Sequence, residues 1–254
     1  YYERLVCHYC GRRTRLSVVC PTCGSSSLSR YGIGTQLVSD KVSELFPEAN
    51  VIRWDRDAAK HIREYENILR KFRSGGSQIL VGTQLIAKGH HIPTVTLVGV
   101  VSADIGLGVP DFRTGERTFQ LLCQVAGRAG RGEKPGRVII QTHQPDHYAI
   151  AAAATQDYTS FFEIESSYRK RYIYPPFSKL IRLVYHHTNN ATSERRANDL
   201  VESINSEQGK WGLFDTDVIG PTPGYPQKVR GNYRWQIILR GPKPRALLDK
   251  VNLI

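Results

Sequence analysis

The sequence predicts an α/β domain with a mostly parallel sheet, followed by a smaller α+β domain. Three short apolar runs are β-branched and nearly continuous, which is typical of strands covered on both faces. These runs are Gln78–Gly82, Val95–Val101 and Arg137–Gln141. Amphipathic segments alternate with them, as helices do around a parallel sheet. Further along, a β-α-β-β-α order of segments favours a small α+β sandwich.

The remaining elements of the α/β part follow from apolar spacing. Thr35 is a candidate cap for a helix whose apolar face consists of Leu37, Val38, Val42, Leu45 and Phe46. Further predictions are a strand at Val51–Asp55, a charged helix at Ala58–Phe72 and an apolar helix near Thr118–Val125. We place this domain at residues 32–145, after a cysteine-rich module at residues 1–31.

The last part, residues 146–254, begins with a connector. One long helix is predicted over Tyr148–Tyr172, because Tyr174-Pro-Pro-Phe177 would stop it. The α+β elements that follow are a strand at Lys179–His187, a helix at Ser193–Ile204, a strand near Val218, a loop at Pro221–Pro226, a strand at Tyr233–Arg240 and a helix near Pro244.

Charge and length restrict the possible functions. The chain has 254 residues, with 35 Lys and Arg against 23 Asp and Glu, so the net charge is 35 − 23 = +12. A polyanion such as nucleic acid is therefore the expected partner.

No apolar run reaches the roughly 18 residues of a membrane span, so no membrane partner is expected. The chain has no methionine and opens on Tyr1, as a trimmed product or an excised fragment would.

Four of the five cysteines form two CxxC pairs, Cys7/Cys10 and Cys20/Cys23. Four thiolates in two tight turns suit tetrahedral zinc, so we predict one structural zinc site in a reducing, cytoplasmic compartment. A redox CxxC is the alternative, but that motif usually occurs once. Residues 1–31 are too few to form a hydrophobic core of their own, so a bound metal or a neighbouring part of the protein must stabilise them. Cys123 stands alone and is predicted to be a buried core thiol.

The first of two glycine-bearing stretches runs from Ile79 to His91. A predicted strand ends there at Gly82-Thr83, and the carboxyl edge of an α/β sheet is where ligands bind. A threonine hydroxyl and backbone amides at this edge can hold a phosphate of a nucleic acid strand.

The second stretch, Gln124–Arg131, carries Arg128 and Arg131 three residues apart. If the segment is helical, both guanidinium groups share a face and can clamp one phosphate cluster. Such a pair suits an arginine finger for a transferred γ-phosphoryl group. A tight turn with two solvated arginines is the alternative for this stretch alone. Two such stretches on successive elements of one domain favour the functional interpretation.

The sequence contains no GxxxxGK[ST] loop, and no Asp-Glu pair ends a predicted strand. The phosphate cradle and the magnesium site of a P-loop enzyme are therefore missing. The predicted domain can supply an arginine to ATP, but it cannot hold ATP by itself, so the chain alone should not hydrolyse ATP.

Taken together, several motifs resemble those of the PriA family of bacterial primosomal replication-restart helicases. They are Gly32-x-Gly34-Thr35, Asp55-Arg-Asp57, Ile79–His90, Asp104-x-Gly-Leu-x-x-Pro-Asp111-Phe-Arg113, Glu116-Arg-Thr-Phe-Gln-Leu-Leu, Gln124–Arg131 and Tyr174-Pro-Pro-Phe177. The resemblance covers nearly the whole chain. It implies a second RecA-like helicase lobe with a zinc module at its start, followed by the family's C-terminal domain.

The resemblance also implies an activity. Members of this family are superfamily 2 helicases that move 3′ to 5′, bind forked and single-stranded DNA, and assemble the primosome with other primosomal proteins. They are monomers of the cytoplasm and nucleoid. ATP and Mg²⁺ would be bound mainly by a first lobe that this chain lacks.

The same resemblance implies residue roles. Gly82, Thr83, Gln84 and Lys88 would contact DNA, whereas Gly89, Gln124, Arg128 and Arg131 would face the nucleotide, with both arginines catalytic. Arg245 would face the acidic tail of single-stranded DNA-binding protein; a solvated charge at a helix start is the alternative for this residue.

The cysteine pattern departs from that of the family. The family has four CxxC pairs and two zinc ions, in an interleaved arrangement that would place Cys7 and Cys10 on one metal and Cys20 and Cys23 on another. With only two pairs in this chain, the four thiolates either re-pair on one zinc or bind none. The alternative functions are a non-catalytic zinc-ribbon module that binds nucleic acid and a different superfamily 2 translocase. Such translocases lack the CxxC knuckles and the Tyr-Pro-Pro-Phe turn.

Overall fold

A computed structural model of the chain describes residues 4–6, 13–15, 19–20, 22–26, 34–55, 62–83, 94–127, 129 and 135–251. The chain divides into two compact units. The central unit comprises residues 29–109 and 113–162, and the C-terminal unit comprises residues 163–254 together with residues 1–28 and 110–112. The predicted domain limits remain predictions.

The elements are numbered in chain order. They are β1 (Arg4–Val6), β2 (Arg13–Arg15), α1 (Thr35–Leu45), β3 (Val51–Trp54), α2 (Ile62–Arg73), β4 (Ile79–Gly82), β5 (Leu97–Val100), α3 (Asp104–Leu107), α4 (Thr114–Ala126), β6 (Arg137–Ile140), α5 (Tyr148–Thr155), α6 (Tyr158–Arg171), β7 (Lys179–His187), α7 (Asn190–Trp211), β8 (Asp217–Val229), β9 (Asn232–Gly241) and α8 (Pro244–Leu248).

The central unit contains parallel strands, as the continuous apolar runs predict. β3 pairs in parallel with β4, and β5 pairs in parallel with β6. In the described part of the chain these are two separate two-stranded sheets rather than one. Side-chain exposure also differs from the expectation. The apolar runs predicted strands covered on both faces, but Leu97 of β5 and Ile139 of β6 are more than half exposed.

The core of the central unit forms where α4, α5 and α6 meet. Phe119 and Phe161 stack with ring centroids 4.1 Å apart, and Leu122 and Ile150 are buried in the same cluster. A smaller cluster surrounds the buried Trp54. Cys123 is half-buried against the larger cluster, and burial raises the pKa of its thiol. This agrees with the prediction of a core thiol, although the side chain is not fully enclosed.

Two local predictions in this unit were wrong. Thr35 is not the cap of α1, because Gly34 occupies that position and the Thr35 hydroxyl donates to the Asp55 carboxylate instead. The long connector helix is two helices. Gln156 adopts a left-handed conformation (φ 56°), which ends α5, and the Asp157 carboxylate accepts the Ser160 N–H (3.0 Å) to start α6.

The C-terminal unit has the predicted β-α-β-β-α order. Its antiparallel sheet has the strand order β7-β9-β8. Apolar side chains of one sheet face pack with α7 and α8 in a cluster that includes the fully buried Ile204, Leu239 and Leu247. Residues 221–226 were expected to form a loop, but they belong to β8. Shifts in the pairing register between β8 and β9 accommodate the prolines of this strand.

A buried ion pair lies within α6 and contacts the segment 110–112. The Arg169 Nε donates to the Glu165 carboxylate at 2.7 Å, and both side chains are nearly buried. The Arg169 guanidinium also lies 5.2 Å from the centre of the Phe112 ring, which stacks on Tyr174 at 5.3 Å. The short segment 110–112 is thereby fixed within the C-terminal unit.

No described helix is both long enough and apolar enough to cross a lipid bilayer.

Candidate nucleic-acid and nucleotide site

The carboxyl ends of β3 and β4 lie side by side in the central unit. Their parallel register places Trp54 opposite Gly82, so Asp55 and Thr83, the next residues of each strand, occupy the same edge. Thr83 is exposed and Gly82 is half-buried. The structure therefore places the predicted Gly82-Thr83 pair at the carboxyl edge of a parallel strand pair, the edge at which α/β sheets generally bind ligands.

Asp55 orders this edge. Its carboxylate is buried, forms an ion pair with the Arg53 Nε at 3.2 Å and accepts the hydroxyl hydrogen of Thr35. Thr35 is the first residue of α1, so Asp55 fixes the start of that helix against the end of β3. In the sequence, Asp55 stands out only as part of the Asp55-Arg-Asp57 motif. An acidic residue directly after a short apolar strand was the available signal for its positioning role.

The second predicted stretch begins in the last turn of α4. Gln124 is exposed there, and the helix ends at Ala126 with Gly127 as its C-terminal cap. Because α4 ends before Arg128, this helix does not support the argument that Arg128 and Arg131 share a helical face. Both arginines lie outside the described residues, as do Gln84, Lys88 and Gly89.

Asp104 anchors the segment that precedes α4. It begins α3 and accepts hydrogen bonds from the Thr142 hydroxyl (2.9 Å) and the His143 N–H (3.1 Å). Partial desolvation acts to raise the pKa of Asp104, but these hydrogen bonds outweigh it, so the pKa is lowered. The carboxylate therefore stays ionised and holds α3 to the residues after β6.

The second CxxC pair lies in a tight turn. The Gly24 N–H donates to the Cys20 carbonyl and the Cys20 N–H donates to the Ser25 carbonyl, both at 2.8 Å. Backbone hydrogen bonds from Cys23 and Thr22 lower the pKa of the Cys20 thiol. Cys7 and Cys10 fall outside the described residues, between β1 and β2 in sequence. Within the described ranges, no group of three or more possible metal ligands comes together.

A cleft of about 640 Å³ opens in the C-terminal unit between the start of β7 and α8. Three cations line it, Lys179, Lys243 and Arg245. The Arg245 Nε contacts the Asp249 carboxylate at 2.7 Å, and both side chains are more than half exposed. Arg245 therefore lies at a cavity rather than on a flat surface.

Comparison with known families agrees with this geometry. Residues 33–133 match the family model of the helicase conserved C-terminal domain. Residues 170–252 match the model of the primosomal protein N C-terminal domain. The parallel strand pairs and the edge at Gly82-Thr83 thus belong to the class of helicase C-terminal domains.

Individual relatives specify the family. The chain is 41% identical over 254 residues to replication restart protein PriA of Bacillus subtilis, covering 99% of this chain and 31% of that protein. It is 41% identical to the same protein of Treponema pallidum (93% of this chain, 35% of the relative) and 39% identical to that of Synechocystis (94% and 28%). The chain belongs to the PriA family of replication restart proteins, which confirms the resemblance inferred from its motifs. It spans about a third of the length of these curated relatives.

Proposed function

We propose that this chain is the second motor lobe and C-terminal domain of an ATP-dependent 3′–5′ DNA helicase that recognises stalled or abandoned forks and restarts replication through primosome assembly. The observation that carries the proposal is the edge where Asp55 fixes the start of α1 beside Gly82-Thr83, in a chain of the PriA family. The RecA-like character of the lobe is part of the proposal.

The roles of the site residues follow from their chemistry. The Thr83 hydroxyl and the backbone amides of the Gly82–Lys88 stretch would donate to phosphates of a DNA strand. Gln124, Gly89 and the two arginines would face ATP and Mg²⁺ held mainly by a first lobe, where Arg128 and Arg131 neutralise charge on the γ-phosphoryl group. Without a P-loop, the chain by itself is expected to bind DNA and not to hydrolyse ATP.

Replacing Thr83 with alanine tests the DNA contact. The variant loses one hydroxyl donor to a phosphate, so its affinity for a fluorescein-labelled single strand should fall about two- to tenfold, measured by anisotropy without nucleotide. Thr96→Ala is the matched control, because it removes an exposed threonine hydroxyl just before β5. Equal affinities of T83A, T96A and the parent chain would refute the contact.

We propose that a structural zinc ion binds Cys7, Cys10, Cys20 and Cys23. The described pair fits this group, because the tight turn and the lowered pKa of Cys20 favour a thiolate, which is the form that binds zinc. When bound, zinc would hold the two knuckles together in a module too short to form its own core. The module would then serve duplex separation and primosome assembly.

Metal analysis of the purified chain tests the four-thiolate site. One zinc per chain is expected by mass spectrometry of the metal, because four thiolates fill one tetrahedral shell. Cys20→Ser with Cys23→Ser should abolish binding, whereas Cys123→Ser should leave the stoichiometry at one. A chain that binds no zinc, or that keeps zinc after loss of Cys20 and Cys23, would rule the site out.

A second candidate function concerns the cleft at Arg245. We propose that it receives the acidic C-terminal tail of single-stranded DNA-binding protein, with other primosomal proteins as further partners of the monomeric enzyme. The cleft supports this assignment because three cations surround a cavity large enough for several residues of an extended peptide. Its one acidic group, Asp249, is already bound to Arg245.

Arg245→Ala should weaken binding of a synthetic peptide with an acidic C-terminus about tenfold, as isothermal titration calorimetry would show, because a charge-assisted contact is lost. Asp249→Asn should strengthen binding of the same peptide, since it removes a carboxylate that competes for Arg245. Arg196→Ala, an exposed cation of α7, is the control and should change nothing. If all three variants bind the peptide equally, the cleft is not its site.

A further inference from the structure

Three residues between α3 and α4 belong to the C-terminal unit, although the residues on both sides of them belong to the central unit. They are Pro110, Asp111 and Phe112. The two ends of this loop are joined, because the Thr114 hydroxyl donates to the Val109 carbonyl at 2.8 Å. The loop therefore presents residues 110–112 as a compact tip, as loops with adjoining ends do.

The C-terminal unit holds Phe112 by its aromatic ring. The ring stacks on Tyr174 with centroids 5.3 Å apart and an angle of 16° between the two planes. The Arg169 guanidinium lies 5.2 Å from the centre of the same ring. Ring stacking and a cation against an aromatic ring are both attractive and both depend on geometry, so Phe112 has a defined position in this unit.

The partners of the Phe112 ring are themselves fixed. Arg169 forms the nearly buried ion pair with Glu165 at 2.7 Å. The Arg240 guanidinium, which belongs to β9, lies 5.9 Å from the centre of the Tyr174 ring. The Phe112 ring therefore rests on side chains that α6 and the antiparallel sheet restrain.

The start of α4 depends on this anchor. The helix begins at Thr114, two residues after Phe112, and no side-chain hydrogen bond caps it at Arg113. In many helices a capping side chain accepts a backbone N–H of the first turn and so defines where the helix starts. In α4, the closed loop and the anchored Phe112 ring take that role.

α4 connects this anchor to the proposed nucleotide site. The helix has 13 residues and is therefore about 20 Å long. Gln124 lies in its last turn and begins the stretch that ends at Arg131. Because a helix is a hydrogen-bonded rod, a shift of its first turn also displaces its last turn. A displacement on the order of 1 Å at a catalytic site can lower a rate about a hundredfold.

We propose that Phe112 is a positioning residue for ATP hydrolysis, held by the C-terminal unit so that α4 aligns Gln124 and the residues after it with the nucleotide. The inference rests on the proposed function, because it adds a second determinant to the same nucleotide site. Phe112 itself touches neither ATP nor DNA. The C-terminal unit would thereby set the rate of hydrolysis without placing a residue of its own at the nucleotide.

Phe112→Ala in a full-length protein that contains this chain tests the role. The kcat of DNA-stimulated ATP hydrolysis should fall about ten- to hundredfold, because groups that act in the transition state are misaligned. The KM for ATP should stay within about twofold, since ground-state binding is unaffected. Phe112→Tyr keeps the ring and should restore most of the rate. Phe214→Ala is the control, because it removes a 73% exposed ring of the same unit.

Hydrogen exchange separates positioning from simple loss of stability. In F112A, the backbone amides of residues 117–120 in α4 should exchange faster, whereas those of β9 should keep the parental protection. Equal loss of protection in α4 and β9 would overturn the inference, because the variant would then have destabilised the C-terminal unit as a whole.

A double-mutant cycle with Tyr174→Ala tests the ring contact itself. If both rings act through one contact, F112A/Y174A should lose little more kcat than F112A alone. Additive losses would overturn the inference, as would an F112Y variant that is as slow as F112A. A parental kcat in F112A, with an active parent and an inactive R131A, would refute this inference alone. A parent that hydrolyses no ATP would overturn the proposed function as well.

Discussion

Replacing Arg131 with alanine in a full-length protein that contains this chain is expected to lower DNA-stimulated ATP hydrolysis by about a thousandfold or more, which is the scale of an arginine finger. The reason is that charge developing on the transferred phosphoryl group would lose a fixed guanidinium neighbour. Coupled-enzyme measurement of phosphate release at saturating DNA provides the readout. DNA binding without nucleotide should remain at the parental level.

Arg131→Lys gives the matched comparison. Lysine keeps the positive charge but lacks the planar guanidinium group, which can donate two parallel hydrogen bonds to a phosphate. R131K should therefore restore only part of the lost rate. Near-normal turnover by R131A would remove Arg131 from the catalytic machinery. Weakened DNA binding with normal turnover would assign it to the DNA contact instead.

Replacing Arg169 with methionine should destabilise the C-terminal unit by about 3–5 kcal/mol, because it removes the guanidinium that forms an ion pair with the buried Glu165 carboxylate. The change also removes the cation that lies against the Phe112 ring. Native-state hydrogen exchange measured by mass spectrometry should show backbone amides of β9 exchanging roughly two to four orders of magnitude faster.

The double variant E165L/R169M separates charge from packing. Replacing both members of a buried pair with apolar groups is often close to neutral, so much of the lost protection should return. Lys210→Ala removes an exposed partner of Glu207 and should change protection little. Parental protection in R169M would show that the buried pair contributes little to this unit.

Whether a segment is a strand or a helix could be predicted from local sequence patterns, whereas the ends of the elements and the pairing of the strands could not. β4, β5 and β6 lie within the three predicted apolar runs, and β3 lies within the strand predicted at Val51–Asp55, because short β-branched apolar runs favour strands. The pairing of β3 with β4 and of β5 with β6 depends on contacts distant in sequence, which a local pattern does not contain.

The wrong local predictions have a common physical origin. Gln156 is an ordinary helix former, but it adopts a left-handed conformation directly before Asp157, which caps the next helix. Residues 221–226 have loop composition, but Thr222 and Pro223 pair with Gln236 and Trp235 of β9, and the segment belongs to β8. In each case a tertiary or neighbouring interaction overrides intrinsic propensity.

The candidate site was partly predictable. The Gly82-Thr83 pair could be placed at the end of a strand, because that edge is defined by strand direction alone. The bond from Thr35 to Asp55 could not be foreseen, since it joins residues 20 apart and the threonine also suited a capping role. The buried Glu165–Arg169 pair was likewise hidden, because a carboxylate and a guanidinium at helical spacing normally indicate a solvated face.

The burial of the tryptophans gives each unit its own spectroscopic reporter. The chain has three tryptophans. Trp54 is 3% exposed in the central unit, Trp235 is 3% exposed in the C-terminal unit, and Trp211 is 56% exposed. In a Trp211→Phe background, further removal of Trp54 or Trp235 leaves one buried indole. Its emission then follows the unfolding of a single unit, so the stability of the central unit and that of the C-terminal unit can be measured independently in the same chain.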